Sequence, residues 1–323
     1  MKKKLFIGID VGGTKLAAGL VSPGGKILLR TKLPTPHNAP PREIVSIIKK
    51  IVGDLLKEQK LTVKDLQGIG IGVPGIVNPH NHRIIVTPNI RLSNFHLARE
   101  IKRSFPVAAA VGNDVNLGIL AERWLGAARH TQNVIGIFPG TGIGGGVILH
   151  GELLTGNNGA AAEIGHMIMD VHGPKCSCGN YGCLEALASR WAIERDIRLA
   201  IKNKKPTVIK KLAGGNLRVI KSKMLRNALE QKDPVVTHVM KRAAKILGLA
   251  CISVRHIFDP EIIVLGGGII EACGDFILPI VKKAADANPF LAGVSNCKIV
   301  QSQLGDDAII LGAVALLQSA KTT

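Results

Sequence analysis

No apolar run in this sequence is long enough to span a bilayer. The longest apolar stretches, such as Ala108–Val111 and Ala308–Leu317, are short or carry charged flanks, well under the ~18 residues that a membrane helix needs. A secretory leader is missing too: the run after Lys2–Lys4 is only Leu5–Ile9 and breaks at Asp10 and Gly12, so a cytoplasmic location is expected. Heptads and low-complexity tracts are absent. With 46% hydrophobic residues in 323, the chain can bury a core in each of two domains, which excludes disorder for most of it. A disulfide framework does not suit a reducing compartment. Three of the six cysteines, Cys176, Cys178 and Cys183, fall within one short stretch, a spacing that favours a metal site.

Acidic residues are scarce, 23 against 42 Lys and Arg, for a formal net charge of +19. Such a balance suits nucleic acid, an anionic surface or an anionic substrate. From Arg198 to Lys245 there are fourteen Lys or Arg and two acids. No zinc-finger or RNA-recognition signature accompanies them. The segment therefore reads either as a solvated basic helical face or as a docking surface for a polyanion.

An internal echo organises the chain. Phe6-Ile7-Gly8-Ile9-Asp10-Val11-Gly12-Gly13-Thr14 reappears 128 residues later as Val134-Ile135-Gly136-Ile137-Phe138-Pro139-Gly140-Thr141-Gly142. Each copy is a β-rich run, a Gly/Thr loop and a second β-rich run, Leu16–Val21 and Gly146–Leu149, so two related domains are expected. Glycines in such loops let the backbone turn sharply and present N–H groups to phosphate oxygens. Two hairpins of this kind, with Thr14 and Thr141 as hydroxyl donors, suggest a nucleotide phosphate chain clasped from both sides.

The remaining pattern is α/β. A third strand, Lys26–Thr31, leads to an amphipathic helix opened by Pro41, with apolar residues at Ile44, Ile47, Ile48, Ile51, Val52, Leu55 and Leu56. Strand Gly68–Val73 follows, then a polar loop from Pro74-Gly75 through Asn94, a short helix, strand Val107–Val111 and a helix over about Val115–Trp124. Helical patterns cover Leu184–Ala200 and Val235–Ile257. Strand Glu261–Leu265 ends in Gly266-Gly267-Gly268, and Asp307–Ala320 reads as a closing helix. The expected domains are residues 1–118 completed by the helix at about 307–323, and residues 119–306.

Asn113-Asp114 follows a buried-looking strand and opens a helix. Asp114 reads either as an N-cap or, with Asn113 and Asn116 beside it where a strand's carboxyl end opens onto a cleft, as a carboxylate that accepts the proton of an attacking hydroxyl. His166, Cys176, Cys178 and Cys183 read either as free buried thiols beside a histidine or as a Cys₃His set, the closed shell of structural zinc, which the two-residue cysteine spacing and the loop glycines favour. Glu163 and Glu185 flank it, either as surface charges or as carboxylates for the hydroxyls of a polyol.

Asp10-Val11-Gly12-Gly13-Thr14-Lys15, Asn113-Asp114, the run Gly140–Gly146, Glu163-Ile164-Gly165-His166 and the stretch Cys176–Glu185 resemble the ROK family (repressors, open reading frames, kinases), particularly its bacterial glucokinases. The resemblance implies an actin-like, ribonuclease-H-like two-domain ATPase fold with the sugar in the interdomain cleft. It implies ATP-dependent phosphorylation of a hexose, with Asp114 as catalytic base and Asn113, Glu163, His166 and Glu185 on the sugar. Gly75 and Asn89 match loop positions that touch the sugar less uniformly. His166 would also hold Zn²⁺ beside Cys176, Cys178 and Cys183. Asp10 would face Mg²⁺, Gly12, Gly13, Thr14, Lys15, Gly140, Thr141 and Gly142 would line the phosphates of ATP, and Gly266, Gly267 and Gly268 the adenosine.

The expected partners are a sugar and ATP, with neither DNA nor membrane, in a homodimer or homotetramer. N-acetylmannosamine, N-acetylglucosamine and fructose kinases share most of these residues, and a polyphosphate-using glucokinase would suit the charge. Family repressors carry a helix-turn-helix before the first strand, for which the residues before Asp10 leave no room. Two departures stand out: Gly112 replaces the usual Glu, and Val115 and Leu117 replace small residues.

Overall fold

A computed structural model describes residues 4–293 and 296–319. Lys2, Lys3 and residues 320–323, which entered the leader and closing-helix expectations, lie outside the described residues. The chain forms two compact units. The first comprises the chain up to His130, Glu152–Ala162 and the chain from Asp306 onward; the second comprises Thr131–Gly151 and Glu163–Gly305.

In the first unit the elements run β1 (Leu5–Val11), β2 (Lys15–Val21), β3 (Ile27–Pro34), α1 (Pro41–Glu58), β4 (Leu66–Val73), a small hairpin β5 (Ile76–Val77) and β6 (Ile84–Val86), α2 (Leu97–Ser104), β7 (Ala108–Asn113) and α3 (Asp114–Leu125). The return segment opens with β10 (Glu152–Leu153), and α10 (Ala308–Ser319) closes the unit. Its main sheet has the order β3-β2-β1-β4-β7. β1 pairs antiparallel with β2 and parallel with β4, and β4 pairs parallel with β7.

Side-chain alternation divides the labour of β1 and β4. Ile7, Ile9, Ile69 and Ile71 belong to one core with Ile44, Ile48, Ile51 and Leu55 of α1. On the alternate positions Gly8 and Gly70 leave no side chain, and a Cβ there would overlap the backbone carbonyls of Ile310 and Ala313. The two glycines let α10 lie directly on the sheet. α10 in turn packs on α3, where a Cβ at Gly312 would strike the Leu117 carbonyl.

The second unit contains β8 (Val134–Pro139), β9 (Ile143–Leu149), α4 (Leu184–Ala188), α5 (Arg190–Lys202), α6 (Ile209–Leu212), α7 (Ser222–Glu230), α8 (Pro234–Phe258), β11 (Ile262–Leu265), α9 (Gly268–Asp286) and β12 (Lys298–Gln301). Here β9, β8, β11 and β12 are neighbours in that order, with an antiparallel hairpin followed by two parallel pairings. This repeats β2-β1-β4-β7, so the sequence echo is a structural duplication, and the topology is that of the actin-like, ribonuclease-H-like fold.

Several expectations are corrected. The division at residue 118 falls inside α3, and the first unit continues to His130 because α3 is packed on α10. The helix expected over Leu184–Ala200 breaks at Ser189, whose hydroxyl caps α5 by accepting from the Ala192 N–H at 3.2 Å. The third strand runs on to Pro34, and the polar loop after Pro74 contains the hairpin β5–β6. Helix α9 and strand β12 had no counterpart in the sequence pattern.

Candidate active site

The parallel strands of the first unit end side by side. Asp10 on β1 pairs in register with Gly72 on β4, and Gly72 with Gly112 on β7, so Asp10, the Gly75 turn and Asn113-Asp114 gather where ligands bind in open α/β sheets. Asn113 caps α3: its Oδ1 accepts from the Asn116 N–H at 2.9 Å, while its Nδ2 donates to the Gly75 carbonyl at 2.9 Å. The N-cap is therefore Asn113, and Asp114 is the first helical residue, with Oδ1 accepting from the Val115 N–H at 2.9 Å. Gly75 has φ +102°, and a Cβ there would overlap the Val86 carbonyl, so this turn needs glycine.

Asp10 is partly buried, and its carboxyl is pushed up from 3.8 to about 6, first by burial and then by the charges of Asp114 and Asp306, against the pull of Lys15. Lys15 lies 3.9 Å from Asp306. The β1–β2 turn is closed by the Gly12 N–H donating to the Lys15 carbonyl at 3.0 Å and by the Thr35 hydroxyl donating to the Gly12 carbonyl at 2.7 Å. Gly13 lies against Asn89, whose carbonyl would be 3.4 Å from a Cβ added at Gly13.

Gly112 and Leu117, both departures from the family pattern, fit each other. Leu117 is fully buried, and a Cβ at Gly112 would come within 2.9 Å of its Cδ2. The side chain missing at 112 makes the room that the larger Leu117 fills.

In the second unit the turn Gly140-Thr141-Gly142 is held from three sides. The Ile143 N–H donates to Glu185 Oε2 at 3.0 Å, Gly165 permits the approach of the Ile143 carbonyl that any Cβ would block, and Arg190 donates from Nη2 to Thr141 Oγ1 at 2.5 Å. Gly267, at φ +81°, sits on the Pro139 carbonyl, and Gly266 on the Phe138 ring. The glycine turn after β11 and the loop after β8 thus meet at the carboxyl ends of neighbouring strands. Glu163 is exposed at the start of the helical turn Ile164–His166.

His166, Cys176, Cys178 and Cys183 bring their ligand atoms within 4.8 Å of one another. Cys178 and Cys183 sulfurs are 3.7 Å apart, and Cys176 Sγ is 3.7 Å from His166 Nδ1. A tetrahedron with 2.3 Å metal–sulfur bonds has edges of about 3.8 Å, so the donor set fits a tetrahedral metal through Nδ1. Burial pushes the Cys183 thiol up to about 12, while backbone hydrogen bonding at Asn180 lowers that of Cys178. The loop is tied to the glycine turn, because Ser177 donates to Glu185 Oε1 at 2.8 Å while Glu185 Oε2 holds Ile143.

Sequence reasoning missed Arg190, Ser177 and Asp306. Of the fourteen cations of the basic segment, all are exposed except the half-buried Arg198, and Arg198, Arg226 and Arg242 pair with Glu194, Glu230 and Asp196. Among the described residues no helix is long and apolar enough to cross a membrane.

The sequence pattern of the ROK family matches residues 6–320. A glucokinase of Thermotoga maritima is 36% identical over 323 residues, covering 98% of each chain. A ROK family glucokinase from Streptomyces griseus, solved in complex with glucose and AMPPNP, superimposes with a TM-score of 0.82 at 30% identity, over 98% of this chain and 99% of that one. A xylose repressor of Caldicellulosiruptor bescii is 27% identical over 97% of this chain and 78% of the repressor. With its duplicated glycine hairpins, its Asn113-Asp114 pair and this agreement along its length, the chain belongs to the ROK family.

Proposed function

We propose that this protein is an ATP-dependent glucokinase that transfers the γ-phosphoryl group of ATP to the 6-hydroxyl of D-glucose. The observation that carries this reading is the carboxylate pair Asp10 and Asp114, set together at the carboxyl ends of parallel strands. Phosphoryl transfer needs alignment and charge neutralisation more than covalent chemistry. Asp114 takes the proton of the attacking hydroxyl, and the positive end of α3 favours a carboxylate there. Asn113, already fastened to Gly75, and the residues Glu163, His166, Glu185, Gly75 and Asn89 are assigned to the sugar. Gly12, Gly13, Thr14, Lys15, Gly140, Thr141 and Gly142 are assigned to the phosphates, and Gly266–Gly268 to the adenosine side.

Asp10 stands among acids in a partly buried place, which suits a bound cation. Asp10 would hold magnesium there, which would supply charge neutralisation for the triphosphate. His166, Cys176, Cys178 and Cys183 would hold a structural zinc, which would staple the loop that carries Ser177 to the segment that carries Glu185, and through Glu185 to the Gly140–Gly142 turn.

A coupled assay across glucose, mannose, fructose, N-acetylmannosamine and N-acetylglucosamine, run with ATP and then with polyphosphate, tests the reading. Glucose with ATP should give the highest kcat/KM. A preference for another sugar or for polyphosphate would replace the substrate assignment. Sugar binding without turnover would favour the repressor reading that the xylose repressor similarity brings, and with it a DNA partner in place of ATP.

A further inference from the structure

The two glycine hairpins differ in one respect that matters for a polyanion. The second turn is one residue shorter than the first: Val11 pairs with Leu16 across the first hairpin, whereas Pro139 pairs with Ile143 across the second. The first turn carries its own cation, Lys15. The second has Gly142 at that position, its carbonyl taking the Gly140 N–H as the Lys15 carbonyl takes that of Gly12, and a phosphate-binding loop without a cation would rely on backbone N–H groups alone. The structure supplies the missing charge from another element. At the start of α5 the chain turns at Ser189, and the Arg190 N–H donates to the Gly140 carbonyl at 3.0 Å and the Trp191 N–H to the Thr141 carbonyl at 3.3 Å. The first amides of the helix are thereby satisfied by the loop, and the guanidinium of Arg190 is brought to the Thr141 hydroxyl.

Its orientation is held from behind. Glu194, one turn along α5, is buried, with Oε1 3.6 Å from Arg190 Nε and Oε2 bonded to Arg198. A buried carboxylate shared by two guanidiniums is fully paired and leaves one net positive charge at the loop. Nε faces Glu194 and one Nη2 hydrogen faces Thr141, while the side chain keeps 30% of its exposure. A guanidinium has five N–H donors in a planar fork that matches phosphate oxygens two at a time, so the rest of the fork is what an anion would take.

We propose that Arg190 is a phosphate-binding residue for the nucleotide, the counterpart in the second hairpin of Lys15 in the first, and that Glu194 is its positioning residue. This rests on the kinase reading above. The test is calorimetric binding of ATP, ADP and adenosine to wild type, Arg190→Ala, Arg190→Lys and Glu194→Gln, each checked for folding by circular dichroism. Arg190→Ala should weaken ATP and ADP at least about tenfold, the scale of lost charge-assisted hydrogen bonds, and leave adenosine and glucose affinity unchanged. Arg190→Lys should recover part of the loss, and the salt dependence of ATP binding should become shallower in Arg190→Ala. A folded Arg190→Ala that binds ATP within about twofold of wild type, or that loses adenosine as much as ATP, would overturn the assignment. If wild type itself binds no ATP, the kinase reading fails and takes the proposal with it; wild-type binding with an indifferent variant sinks the proposal alone.

Discussion

Replacing Asp10 by Asn should make this protein more stable near neutral pH while disabling it. The folded-state value of Asp10 is about 6 against an ordinary 3.8. A carboxyl raised on folding binds its proton more tightly in the native than in the unfolded state. Its stabilising contribution is present below pH 3.8 and is lost as pH rises through about 6. Two units correspond to about 3 kcal/mol near pH 7, and about 1 kcal/mol is already lost near pH 4.5. Partial exposure trims these figures, so about 2–3 kcal/mol near neutrality is the expected penalty, or roughly 5–10 °C in Tm for a unit of this size. An Asn side chain has a similar shape and carries no charge to bury. The assay is thermal unfolding of wild type and Asp10→Asn in the absence of nucleotide and magnesium, from about pH 4.5 to 7.5. The variant should gain over wild type as pH rises, most of the gain arriving between the two values of Asp10. The same variant should lose most of its turnover, because it lacks the carboxylate assigned to magnesium. Equal melting curves at both ends of the pH range, or a variant less stable than wild type near neutrality, would refute the reasoning.

Four further outcomes are expected. Asp114→Asn should lower kcat by roughly 10²-fold or more with glucose affinity largely kept; near-normal turnover in a folded variant contradicts the base assignment. Protein purified without chelators should contain zinc by elemental analysis, and Cys178→Ser should lower both Tm and sugar affinity, since the loop braces Glu185 and the Ile143 N–H; an unchanged Tm and KM would remove zinc from the site. Gly112→Ala should destabilise by about 1–2 kcal/mol through its contact with Leu117 and cost much less in a Leu117→Ala background, a coupling of at least about 0.5 kcal/mol; strict additivity in urea melts would show that the two positions are independent. Reversing Lys202, Lys204, Lys205, Lys210 and Lys211 to Glu should leave kcat/KM for ATP within about threefold, because these lysines are exposed and such faces are ordinarily solvated; a collapse of activity in the folded variant would point to a polyanion track.

The sequence by itself determined the duplicated glycine hairpins, the helix opened by Pro41, the closing helix and the grouping of His166 with three cysteines. Each of these is local: period-two and helical patterning, turn glycines and short ligand spacing act within a few residues. Only the tertiary structure decided that Asn113 rather than Asp114 caps α3, since that choice depends on Gly75, 38 residues away. The break at Ser189 likewise escapes helical periodicity, because it is enforced by the Gly140 and Thr141 carbonyls that take the first amides of α5. Gly8, Gly70 and Gly312 look like poor strand and helix residues until α10 is laid on the sheet, where close packing of backbone on backbone leaves no space for a Cβ. Leu117 reads as a departure until Gly112 is seen to make room for it. What the chain writes over long distances is volume and charge exchanged between elements, and those quantities exist only once the elements are packed.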